Sequence, residues 1–389
     1  VQIRSNRMDE MAEKGLAENA NMLHDLAALG CVADLAELSG ESRYLVQSGL
    51  NQIRSEPRPA LAAMLEAAGV AFTSVGEEHI SFNLAPRLNA VGRLDDANPM
   101  VNFLLSSDPV EIAVTVSRLE GLNDYRKTLC DQVFQGAMAI LEQDRALLDQ
   151  PILILHHPEW PPGIVGIVAS RLVELFHRPV ILLVTPPGEA ARGSARSVDG
   201  IDITAALTLN RQHLLSFGGH PMAAGLALDT ANLETFKRGM NKTILNLAAG
   251  QVTKPDLIVD AVLSPSAITL EFAHSLDLLA PFGPGNPPLI FGARGMQIIN
   301  TSDVGKLREH LLVNVEDSDG NPARFIWWNG NNLPLPEGWF DLAYTARASN
   351  FRGEDQLQFE WIDYRDNPEE TPLQVGKGSR KRINFDNRH

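Results

Sequence analysis

Between 109 and 148, apolar residues recur every three or four positions. Ile112, Val116, Leu119, Leu122, Tyr125, Leu129 and Val133 fall on one face, which predicts a single long helix. A helix of that length suits a strut between domains. Upstream, 8–29 has helical spacing with a stop expected at Gly30, and 44–53 forms a second helix. A third, 60–68, follows Pro57 and Pro59 and ends at Gly69. From 151 the pattern changes. The segments 152–155, 179–184, 192–198 and 225–228 read as strands, while 164–177, 203–215 and 233–247 keep helical spacing. Interleaved strands and helices predict an α/β domain. After 254 the chain turns to short strands separated by glycine turns, at 257–262, 289–299, 310–315, 323–328, 340–348 and 356–361. Strands of that number and length fit an OB-like barrel. Phe325, Trp327, Trp328, Tyr344, Phe351 and Phe359 are candidate platforms for stacked bases, half of them expected in the core. Alternation puts Phe325 and Trp327 on one face and Trp328 on the other, so one tryptophan of the pair is expected to face outward.

The expected fold class is therefore α/β plus β, with a helical N-terminal part. A chain of 389 residues that is 44% hydrophobic can build two or three cores. No apolar run approaches the roughly 20 residues of a membrane helix, and the first fifteen positions carry charge. Two cysteines, Cys31 and Cys130, make neither a disulfide framework nor a zinc spacing, so a reducing cytoplasm is the expected location. A net charge of −15 argues against a protein that coats nucleic acid nonspecifically, because such binding neutralises many phosphates with Lys and Arg. Any positive charge must be confined. Eight Lys or Arg stand against seven Asp or Glu between 151 and 250, making this segment less acidic than the whole.

The segment 217–225, Phe-Gly-Gly-His-Pro-Met-Ala-Ala-Gly, joins two adjacent glycines to an imidazole and small residues. Glycine amides turn easily toward an anion, and His220 adds a donor, so Gly218, Gly219 and His220 read as a phosphate seat. By itself the run is equally a glycine turn. Upstream, Gly193, Ser194, Arg196 and Ser197 form a second cluster, in which strand alternation puts Ser194 and Arg196 on one side. A third spans 86–96, with Arg87 and Arg93 around a small-residue turn and Asn89 as a neutral donor and acceptor. Arginine forks match phosphate oxygens in pairs.

The three clusters, in this order, resemble the RecJ family, single-stranded-DNA-specific exonucleases of the DHH phosphoesterase superfamily, over about 23–364. The segment 25–34 resembles the family's fourth catalytic motif, 86–96 its arginine motif, and 157–166 the opening of its DHH-associated domain. The segment 279–288 resembles the entrance to its OB-fold. The resemblance implies a C-terminal remnant of a DHH catalytic domain at 1–106 and a connecting helix at 107–149. After these it implies a DHH-associated α/β domain at 150–250 and an OB-like domain at 251–364, while the polar composition of 365–389 reads as a disordered tail. The family's first three motifs, which carry most metal-binding Asp and His residues, have no counterpart here. The pair His156-His157 does not replace them, because Leu155 stands where the acidic partner is needed. With Val1 in place of a methionine and a polar end, the sequence is expected to be a truncated product.

In the family, two divalent cations, Mn2+ or Mg2+, position water for attack on a phosphodiester, and nucleotides leave from the 5′ end. The resemblance implies that Asp25 is a metal ligand with a catalytic role, most partners of the metal pair being missing. It assigns Ser194 and Arg196 to the 5′ phosphate and Arg87 and Arg93 to backbone phosphates. His220, with Gly218 and Gly219, goes to the scissile region, His220 as a catalytic residue. The expected function is 5′ to 3′ exonucleolysis of single-stranded DNA in repair and recombination, with this chain inactive alone. Two alternatives stay open, a nuclease-dead single-strand-binding module and a small-nucleotide phosphodiesterase of the same superfamily. The implied partner is single-stranded DNA with a 5′ end, with a single-strand-binding protein or a helicase as further partners. No membrane is implied, and nothing demands more than a monomer.

Overall fold

The computed structural model describes residues 22–248, 257–305, 308–351 and 354–366. In chain order the helices are α1 (His24–Ala33), α2 (Gly40–Ser55), α3 (Pro59–Ala67), α4 (Ala85–Leu94), α5 (Pro99–Leu105), α6 (Pro109–Gln143), α7 (Pro162–Phe176), α8 (Ile203–Leu209), α9 (Leu233–Ala248) and α10 (Leu270–Leu276). The strands are β1 (Leu153–His157), β2 (Val180–Val184), β3 (Ala191–Arg196), β4 (Ser216–His220), β5 (Ala223–Leu228), β6 (Ala261–Val262), β7 (Phe291–Val304), β8 (His310–Asp317), β9 (Pro322–Trp327), β10 (Trp339–Phe351) and β11 (Glu354–Asp366). They form two compact units. One takes 22–55, 75–80 and 257–366, and the other 56–74 and 81–248. The N-terminal helices are thus divided between both units.

Most of the expected helix 8–29 lies outside the described residues. α1 runs through Gly30 instead of stopping there. A Cβ at Gly30 would meet no atom, so this glycine is tolerated in the helix at about 1 kcal/mol, and the turn away comes at Leu35, where φ is 53°. α2 joins the barrel unit through Arg43 Nη2, which donates to Leu279 O at 2.6 Å, and Gln47 Nε2, which donates to Ala280 O at 3.1 Å.

β7, β8, β9, β11 and β10 follow one another around a closed barrel, with β10 pairing back onto β7, and β6 adds to β7 in parallel. This is the OB order expected from the short strands. Alternation sends Phe325 and Trp327 inward, with 0% and 7% exposure, and leaves Trp328 45% exposed. Tyr344 is also fully buried, so Phe325, Trp327 and Tyr344 are core residues and not stacking platforms. Trp327 stacks on Trp361 at 4.9 Å, and Phe325 meets Tyr344 edge-on at 5.5 Å. Phe359 packs against the same cluster, while the Phe351 side chain lies outside the described residues. Phe325→Ala is expected to lower barrel stability by about 3–5 kcal/mol through lost transfer energy and a cavity, read by urea unfolding.

The other unit is built on a five-stranded sheet in the order β1-β2-β3-β5-β4, with β1 and β2 parallel and the remaining neighbours antiparallel. One face is apolar across the sheet. Ile154, Ile181, Leu183, Ala195, Ala224 and Leu226 pack there under Phe236, Met240 and Ile244 of α9 and Ile203, Ala206 and Leu207 of α8. The opposite face is apolar only at β1 and β2, where Leu153, Leu155, Val180 and Leu182 meet α6 and α7. α6 is integral to this unit, not a free strut, since Val133, Ala137 and Leu141 enter that core. The expected stripe also slips. Tyr125 is 56% exposed, and Asn123 is buried in its place. No described helix is long and apolar enough to cross a membrane.

Candidate functional site

The Gly-Gly-His run is a strand, not a turn. Ser216–His220 forms the edge strand β4, paired antiparallel to β5, and the expected helix 203–215 ends early, at Leu209. Register then dictates what shares a face, because directly opposed residues project to the same side. Three rungs cross β3, β5 and β4. Arg196, Ala223 and His220 form the first, Ser194, Gly225 and Gly218 the second, and Arg192, Ala227 and Ser216 the third. All nine lie on the face opposite α8 and α9, where α7 packs against Arg196 and Ser194, and the second and third rungs line an open concavity of about 590 Å³.

The glycines divide into two kinds. A Cβ on Gly218 or Gly225 would meet nothing within 4 Å, and neither residue has the left-handed φ that favours glycine. Their only consequence is an empty floor over the sheet, where a ligand can reach the backbone. Gly193 and Gly219 point to the packed side. A Cβ at Gly193 would lie 2.0 Å from Leu182 O, and one at Gly219 would lie 2.3 Å from Ala223 O. These two permit close strand packing, and the structure does not place them on the open face. Ser197 is also structural, buried with its Oγ donating to Ile201 O at 2.6 Å.

Arg196 is held in place by its own strand and by α7. Its Nε donates to Ser170 Oγ at 3.2 Å and its Nη1 to Ala195 O at 2.8 Å. A Cβ at Gly166 would fall 2.8 Å from Arg196 Nη2 and 3.1 Å from Ser194 Oγ, so the missing side chain lets α7 press against both. Gly163 performs the same service for α4, since its Cβ would sit 2.3 Å from Arg93 O. Arg93 Nη1 donates to Gly163 O at 3.1 Å. Burial lowers the Arg196 pKa first, and the charge of Arg93 lowers it further. Arg93 is lowered by desolvation and then by Arg126. Desolvated guanidiniums with like charge beside them make a site that favours an anion.

Arg87 does not join this group. Its Nη2 donates to Glu120 Oε2 at 3.1 Å, its Nε also pairs with Glu120, and its Nη1 donates to Asn83 O at 2.7 Å. It therefore clamps α4 to α6. Arg87→Ala is expected to cost about 1–3 kcal/mol of stability in urea unfolding, with nucleotide affinity held within about threefold. Asn89 is exposed, four residues before Arg93 and thus on the same side of α4. His220 is exposed at the end of its rung, with its carbonyl accepting from Thr204 Oγ1 at 2.8 Å. His157 stacks on Trp160 at 5.7 Å, and its Nδ1 accepts from Glu159 N at 3.2 Å. Four contributors escaped the sequence reading: Gly163, Gly166, Arg126 and Arg192. The segment Pro162-Gly-Ile-Val-Gly166 carried the signal for the first two, because glycines three apart mark one face of a helix open to close approach.

Asp25 belongs to the barrel unit, in the first turn of α1, fully buried, with Leu26 N donating to its Oδ1 at 2.8 Å. Among the described residues no three His, Cys, Asp or Glu side chains converge as a metal site. The described residues do not fit the metal pair implied by the resemblance.

The profile of the DHHA1 domain matches residues 149–246, and that of the RecJ OB domain matches 259–363. The single-stranded-DNA-specific exonuclease RecJ of Escherichia coli K12 is 34% identical over 352 residues, covering 87% of this chain and 60% of that protein. RecJ of Bacillus subtilis 168 is 34% identical over 313 residues, covering 79% of this chain and 39% of that one. The crystal structure of RecJ in complex with Mn2+ from Thermus thermophilus superposes with a TM-score of 0.74 at 30% identity, over 88% of this chain and 49% of that chain. Its counterpart in complex with Mg2+ gives 0.72 at the same identity. The chain thus spans roughly 40–60% of the length of these relatives.

Proposed function

The chain belongs to the RecJ family, as a DHHA1 domain followed by a RecJ OB domain, and from that premise we propose that it grips the 5′-phosphorylated end of single-stranded DNA for exonucleolysis in repair and recombination. One observation carries this reading. Ser194 shares its rung with the bare floor of Gly225 and Gly218, and Arg196 stands one rung away on the same face, so a phosphate can lie on backbone beside a fixed guanidinium. Ser194 Oγ and the Arg196 fork take the terminal phosphate. Arg93 and Asn89 take the neighbouring backbone, and His220 stands at the rung's outer end as the donor nearest the bond to be cut. No ligand set for a metal pair converges among the described residues, and the chain alone binds without cleaving.

A strand entering the barrel domain has a stacking partner in Trp328, 45% exposed, its ring against the edge of His310 at 4.7 Å. Trp328→Ala is expected to weaken a long oligothymidine by roughly tenfold, in line with one lost stacked base. The reading is tested by fluorescence anisotropy in EDTA with 5′-phosphorylated and 5′-hydroxyl oligonucleotides over a salt series. Preference for the phosphorylated end, weakening steeply with salt, supports it. Equal affinity for both ends removes the phosphate seat. Cleavage by the chain alone in Mn2+ would refute the division between binding and hydrolysis.

A further inference from the structure

The third rung is not used by a terminal phosphate, yet it carries a cation. Arg192 is exposed on β3, paired across the sheet with Ala227, which pairs in turn with Ser216 of β4. Among the described residues its guanidinium has no ion-pair or hydrogen-bond partner. It lines the concavity together with Ser216, Gly218, Gly225 and Ala227, so its charge borders open space. We propose that Arg192 and Ser216 form a second anion step that receives the phosphodiester following the terminal nucleotide.

The argument is one of spacing. Successive residues on one face of a strand are about 6.8 Å apart, so the first, second and third rungs repeat at that interval. The phosphates of an extended single strand step by a similar length. A phosphate seated on the second rung, at Ser194 over the floor of Gly218 and Gly225 and beside Arg196, therefore leaves its successor one rung on, over Arg192. A single small anion would need only the first seat. A second, unpaired guanidinium in line with it along a bare sheet face suits a polyanion with regular charge, and Ser216 adds a hydroxyl from the edge strand. The proposal rests on the terminal-phosphate reading and extends it by one nucleotide.

The test compares thymidine 5′-monophosphate with the 5′-phosphorylated trinucleotide of thymidine, both in EDTA, competing against a labelled strand. Arg192→Gln is expected to weaken the trinucleotide about tenfold while the mononucleotide stays within twofold. For the trinucleotide, the slope of log affinity against log salt is expected to shrink by about 0.7, the value for one lost contact on a single strand. Because Arg192 is exposed and unpaired, the variant keeps the wild-type circular dichroism and thermal midpoint. An unchanged trinucleotide overturns the second step. An equal loss for both ligands also overturns it, by showing that Arg192 acts only through the general field. Failure of the wild-type chain to bind either ligand is a separate outcome that removes the terminal seat and this extension together.

Discussion

Arg196→Met is expected to reduce affinity for a 5′-phosphorylated strand by roughly 10- to 150-fold, the range for losing charge-assisted hydrogen bonds to an anion. Its thermal midpoint is expected to hold or rise. The wild-type guanidinium donates to Ser170 Oγ and Ala195 O, and those bonds favour the fold. Against them stand its desolvation and the like charge of Arg93, both of which disfavour the charged form. Replacing a desolvated charge by an apolar side chain of similar length is commonly neutral or stabilising. A residue kept for folding would show the reverse, with stability lost and affinity retained. Anisotropy and differential scanning calorimetry on the same variant separate the two.

The second large effect is a contrast among four glycines. Gly225→Val and Gly218→Val add bulk where a Cβ meets nothing, on strands where β-branched residues are favoured. Stability is expected to rise by about 0.5–1 kcal/mol, and phosphate binding to fall by more than about tenfold as the floor fills. Gly193→Ala and Gly219→Ala drive a methyl against a strand carbonyl, and the backbone must move to admit it. They are expected to lose about 1–3 kcal/mol or more, and to lose binding only through the sheet. Urea unfolding with paired affinity measurements gives opposite signs of stability change for the two pairs. Stability losses of equal size in all four would show that the open floor is packing of another kind.

Strand and helix identity after 151 followed from local pattern, because the two cores need apolar runs of distinct period on β1, β2, α7 and α9. An OB-like barrel, and the outward turn of one tryptophan of the 327–328 pair, were legible for the same reason; which of the two turns outward was not. What escaped was non-local. Phe217-Gly-Gly-His220 has little strand propensity, and only its ladder with Ala223–Leu228 makes it β4. Of the two arginines in 86–96, Arg87 is taken by Glu120, 33 residues away, and sequence gives no sign of that pairing. Within the glycine motifs, residue type alone cannot tell Gly218 from Gly219. The side each faces decides between an open seat and a packed strand, and register sets the side. Arg192 was passed over because only the rungs across three strands align it with Arg196.

The central claim is that the open part of one sheet face, beside α7, receives the terminal phosphate. Titrating thymidine 5′-monophosphate into the 15N-labelled chain in EDTA and following backbone amides tests it most directly. Saturable shifts concentrated at Ser194, Arg196, Gly218 and Gly225, absent with thymidine, are the predicted result. Shifts that avoid these four amides and gather elsewhere would contradict the account.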